Sequence, residues 1–139
     1  MRGFSLMEFI LVMAIMILIA SLSLPLYYSF YSDQLLESTA DQLTSDLRLI
    51  QGRSLAGEQN SAWGIRFSPG QYTLFAQTDS AFDEIFNYSP RLNITADTEL
   101  LFQAVTGQPS TPTAITLIDD NLSRQIIITI NAQGLITKQ

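Results

Sequence analysis

The sequence predicts an α+β fold: a long N-terminal helix, transmembrane in its first half and amphipathic in its second, packed on an antiparallel β-sheet domain. Three observations carry this. Phe9 to Ala20 read FILVMAIMILIA, with no polar side chain, and the run continues through Ser21 and Ser23 to Leu26. From Leu36 to Ser54, apolar or small residues recur at steps of four and three. Beyond Gly57 the period changes to two. A chain of 139 residues has room for one ordinary domain.

Composition removes whole classes of function. Apolar residues make up 47% and charged residues 14%, too apolar a balance for a disordered chain. The absence of cysteine and histidine excludes disulfide scaffolds, thiol chemistry, Cys/His zinc sites and histidine general bases. Lysine occurs once, at Lys138, which argues against Ser-Lys and Schiff-base catalysis. A net charge of −6 has the wrong sign for general nucleic-acid binding. No enzyme, cofactor or metal site is expected.

As a helix, residues 9 to 26 would be about 27 Å long, close to one hydrocarbon thickness. Arg2 is the one cation upstream, whereas Asp33, Glu37, Asp41 and Asp46 follow downstream. The positive-inside rule then places the N-terminus in the cytoplasm. A cleaved secretory signal, with Ser21-Leu22-Ser23 as its cleavage site, and a plain signal anchor are the competing readings. Neither accounts for a carboxylate, Glu8, at the mouth of the apolar run, although a residue so near the end can also snorkel to the headgroups.

Gly3-Phe4-Ser5-Leu6-Met7-Glu8, followed by a long apolar helix, resembles the processing motif of type IV pilins and type II secretion pseudopilins. In that family a membrane peptidase cuts after the glycine and methylates the new N-terminal residue. The resemblance implies a leader of residues 1–3, cleavage between Gly3 and Phe4, N-methylation of Phe4, and assembly through Phe4 and Glu8. It also implies a helix bend at Pro25. Residues 4–32 would form the transmembrane and filament-core helix. Partners would be other pilin or pseudopilin subunits, prepilin peptidase and the inner-membrane assembly platform. The chain would cross the inner membrane once, with its C-terminal domain periplasmic or extracellular. Met7 stands where isoleucine or valine is commoner.

Residues 33–57 continue the helix. Leu36, Ala40, Leu43, Leu47, Ile50 and Ser54 form one face, with Asp41, Asp46, Arg48 and Gln51 mostly turned away. The helix is expected from about Phe4 to Ala56, stopping at Gly57. Residues 58–139 form the β-domain. Alternation predicts a hairpin over residues 62–77, turning at Ser68-Pro69-Gly70. Residues 78–90 lack a clean period and read as a loop, with a helical turn near Phe82 to Phe86. Strands follow at Arg91–Thr95, Glu99–Ala104, Thr113–Ile118, Gln125–Asn131 and Leu135–Lys138, with a turn at Asn131–Gly134.

The helix end LRLIQGRSLA, the strand from Trp63 to Phe67, and the isoleucine-rich strand leading into Asn131-Ala132-Gln133-Gly134 resemble a branch of that family. This branch comprises the H-type minor pseudopilins and their FimT-like relatives in pilus systems. The implied function is a minor pilin or pseudopilin. A FimT-like DNA-uptake pilin is the alternative, and a signal-anchored extracytoplasmic enzyme a remote one. Against DNA binding, Arg48, Arg53, Arg66, Arg91, Arg124 and Lys138 are scattered, and no nucleic-acid partner is expected unless Arg66 and Arg124 meet in a local patch. Asp119-Asp120-Asn121 lacks the spacing of a calcium loop and reads as a turn. The sequons at Asn93 and Asn121 are short matches of unknown context. Asp83-Glu84 reads as a solvated carboxylate pair and Trp63 as a core residue.

Overall fold

The computed structural model describes residues 5–119 and 124–139, with the backbone alone for residues 22–26. One helix, α1 (Leu6–Leu55), takes up 50 residues, about 75 Å at 1.5 Å per residue. Ser5, in extended conformation, caps its start and accepts a 3.4 Å hydrogen bond from the Met7 amide. The backbone is helical through position 25. The side chain of Pro25, where a bend is expected, lies outside the described residues, as do Gly3 and Phe4. At the far end Gly57 adopts φ +63°, a left-handed conformation that only glycine takes without strain. A 3₁₀ turn, Glu58–Asn60, then leads the chain into the β-domain.

Eight strands follow: β1 (Trp63–Ser68), β2 (Gln71–Ala76), β3 (Asp79–Asn87), β4 (Leu92–Thr95), β5 (Glu99–Phe102), β6 (Thr113–Asp119), β7 (Gln125–Ile130) and β8 (Ile136–Lys138). They form two antiparallel four-stranded sheets, ordered β3-β2-β1-β5 and β4-β6-β7-β8, in place of the one sheet expected. Alternation marks which face of a strand is buried but is silent on its neighbour, so the split could not be read from the pattern. The β1–β2 hairpin turns through Pro69-Gly70, with Ser68 opposite Gln71 and Gly70 at φ +77°.

The core lies where the second half of α1 meets both sheets. Leu36, Ala40, Leu43, Leu47, Ile50 and Ser54 are all fully buried. They pack with Trp63, Ile65, Leu74, Leu100 and Phe102 of the first sheet, and with Ile115, Leu117, Ile128 and Ile130 of the second. Each buried Leu, Ile or Phe among them contributes about 1.5–3 kcal/mol by leaving water.

Two expectations are corrected. Residues 79–87 form β3 rather than a loop with a helical turn. As an edge strand with no buried residue, β3 shows no hydrophobic alternation in its sequence. Asp46, expected to face away from the core, is buried at 5% exposure. Its carboxylate accepts from the Tyr72 hydroxyl at 2.6 Å and from the Gln42 amide at 3.0 Å, so its polar atoms are matched inside the protein.

Candidate assembly interface

The two halves of α1 have opposite surroundings. Among the described residues, none from Leu6 to Tyr31 is buried, and burial begins at Ser32. Leu6 and Met7 are each 78% exposed, and the large apolar side chains from Phe9 to Ile19 are likewise open. So much contiguous apolar surface marks an interaction site. No helix among the described residues is long and apolar enough to cross a membrane. Nearer the β-domain, Tyr27, Tyr28, Phe30 and Tyr31 are exposed. Tyr27 stacks on Tyr31 at 6.4 Å and meets Tyr28 edge-on at 6.3 Å. Rings with an apolar body and a polar tip suit a boundary between a dry and a wet environment. The sequence signal for this group was the density of aromatics directly after the apolar run.

Glu8 sits exposed in the first turn of α1, where the positive end of the helix dipole favours a carboxylate. Among the described residues no cation pairs with it.

The seated half is held by polar fastenings as well as the core. Asp33, Glu37 and Asp41 follow one another at helical steps of four on one face. Arg124 donates to Asp33 at 3.0 Å and to Glu37 at 3.3 Å, while Lys138 donates to Glu37 and Asp41 at 2.5 Å each. Hydrogen bonds to Asp41 and then Glu37 raise the Lys138 ammonium above its ordinary pKa. At the other end, Gln51 donates from its amide to the carbonyls of Gly107 at 3.1 Å and Gly134 at 2.8 Å. The Ser54 hydroxyl donates to the Phe102 carbonyl at 3.2 Å and accepts from the Trp63 amide at 3.1 Å. Arg53 donates to Glu84 at 2.9 Å and lies 4.8 Å from the centre of the Trp63 ring.

Arg66 and Arg124 do not meet. Arg66 pairs with Glu99 at 3.3 Å and stacks on Phe75, while Arg124 engages the helix carboxylates. Of the Asp83-Glu84 pair, Asp83 is exposed and Glu84 is bound to Arg53. Trp63 is core, at 1% exposure. Asp119 ends β6 and is buried, whereas Asp120, Asn121 and the rest of that sequon lie outside the described residues. Asn93 is exposed on β4.

A long helix, half packed on two antiparallel sheets and half projecting with its apolar side chains open, is a pilin-like α+β fold. The structure is similar in fold to the minor pseudopilin EpsH from the type 2 secretion system of Vibrio cholerae. The TM-score is 0.60 at 11% identity, over 76% of this chain and 96% of that one. No family model matches the sequence, and no curated protein matches it.

Proposed function

We propose that the chain is a minor pilin or pseudopilin, a structural subunit of a type IV pilus or type II secretion pseudopilus. One observation carries the reading: α1 is anchored by its second half and offers its first half, exposed and apolar, on a fold shared with a minor pseudopilin. In this reading the projecting half spans the inner membrane once before assembly and exchanges lipid for the helices of neighbouring subunits in the filament. The β-domain then lies outside the cytoplasm. Prepilin peptidase cuts between Gly3 and Phe4 and methylates Phe4. Glu8 neutralises the new α-amine of its own or the adjoining subunit.

Intact-mass measurement of membrane-extracted protein from the native host tests this. The expected mass lacks Met1-Arg2-Gly3 and carries one added methyl group. A retained Met1, or cleavage near Ser23, would overturn the proposal.

A further inference from the structure

We infer that the outer edge of β3 is a docking track for an extended strand of another polypeptide, one that carries a large apolar side chain on one face and a cation on the other. β3 closes one side of its sheet, and among the described residues no strand pairs with its outer edge. The opposite edge is occupied: around β5, Gln103 donates to Gln108, Ser110 donates to Leu101, and Phe102 bridges Pro109. The edges of the second sheet are only four and three residues long. β3 is therefore the long unpaired edge, the kind of edge that can extend a sheet, with its Ala81 amide donating to its own Asp79 at 2.9 Å.

The two sides of this track differ in chemistry. Phe86 lies opposite Tyr72 and Glu84 opposite Leu74, so these positions face α1; Ile85, opposite Thr73, faces outward. On the α1 side, at the Asn87 end, a recess of about 360 Å³ opens between the helix and the sheet. Tyr72 and Phe86, stacked at 5.4 Å, and Tyr88 supply its aromatic wall, and Leu35 an aliphatic one. Ser38, Thr39, Gln42, Asn87 and Ser89 complete its lining, so it suits a large apolar side chain within a polar margin. On the outward side, at the Asp79 end, a recess of about 270 Å³ carries Asp79, Asp83 and Glu99, of which Glu99 alone is paired with the nearby Arg66. It suits a cation. A strand offers alternate side chains to opposite faces, so one incoming strand reaches both recesses. Self-pairing of two β3 edges in the antiparallel registers centred on Ala81 or Asp83 would oppose acid to acid, which favours a different chain as the donor.

The proposal does not depend on the filament reading and is tested on the purified full-length chain in detergent. The probes are the peptide Thr-Phe-Thr-Val-Lys-Val-Thr, blocked at both ends, and its counterpart with Glu in place of Lys. Backbone amide exchange over residues 79–87 gives the site, and a titration gives the affinity. The Lys peptide is expected to slow exchange in β3 and to bind about 5-fold tighter than the Glu peptide, an order set by cross-strand charge pairs. In Asp83→Lys, an exposed substitution, the preference should reverse. Equal affinities, unchanged preference in Asp83→Lys, or protection elsewhere would overturn the proposal. Protection of β3 without peptide, rising with protein concentration, would overturn it in favour of a second copy.

Discussion

The Tyr72 phenol reaches from β2 across the core to the helix and donates a 2.6 Å hydrogen bond to Oδ2 of Asp46. Both residues are buried, at 2% and 5% exposure. Burial, reinforced by the bond to Asp46 and its charge, raises the Tyr72 phenol well above the ordinary tyrosine pKa. In the unfolded chain the phenol ionises near pH 10, while in the folded protein it stays protonated. The stabilisation is therefore complete below about pH 10 and is lost as pH rises from there toward the folded value. Thermal melts from pH 8 to 11 should show a steep alkaline loss of stability that Tyr72→Phe shallows. At pH 7 the same variant should be about 1.5–3 kcal/mol less stable, because the Asp46 carboxylate loses a donor.

Gln51 ties the helix to two loops through one amide. Gln51→Ala strips a donor from the carbonyls of Gly107 and Gly134 and should destabilise the domain by about 1–3 kcal/mol in urea titrations. Gly134→Ala should be at least as damaging. Gly134 has φ +83°, and an added Cβ would lie 2.5 Å from the Gln51 amide nitrogen. An unchanged urea midpoint in both variants would show that this fastening is dispensable.

The ion pairs on the helix face behave differently. Arg124 and its carboxylate partners are about half exposed, so water screens them. Arg124→Ala should lower stability by less than about 1 kcal/mol in dilute buffer, and by less again in 1 M salt. A larger, salt-independent loss would point to packing by the arginine stem.

Duplex DNA should not bind appreciably. Arg53, Arg66, Arg124 and Lys138 each already hold a carboxylate, which leaves few cations to displace counterions from phosphates. A mobility-shift titration of the full chain at physiological salt should show no complex. A tight, salt-sensitive shift would promote the DNA-uptake reading.

Glu8 is tested by assembly rather than folding. Glu8→Ala is expected to insert and to keep the β-domain intact, yet to be lost from purified filaments. In a water-poor setting an α-amine left without its carboxylate is costly, so the pair acts as a check on register. Co-purification of the variant with filaments at wild-type levels would rule the pairing out.

The buried stripe of α1 was legible because each of its residues meets the core, so the period survives in the sequence. The same logic explains what was missed. β3 has one bonded edge and no buried side chain, and leaves no alternation to find. Asp46 reads as an outward carboxylate because its match, Tyr72, is 26 residues away in a different element. The Arg124 and Lys138 pairings join positions 87 to 101 residues apart in the chain, which no local pattern encodes. At the candidate interface, the exposed apolar half of α1 was legible as composition, whereas its stacked tyrosines required coordinates.

The lopsided seating of α1 makes it a lever. Residues 6–31 reach about 39 Å beyond the fulcrum at Ser32 at 1.5 Å per residue. A rocking of about 10° at the fulcrum would sweep the tip, where Glu8 sits, through about 7 Å, more than a full helical turn of 5.4 Å. The carboxylates of Asp33, Glu37 and Asp41, gripped by Arg124 and Lys138, stand immediately behind that fulcrum. Bonds that add little to folding thus stand where a small change of seating is magnified most at the distant tip.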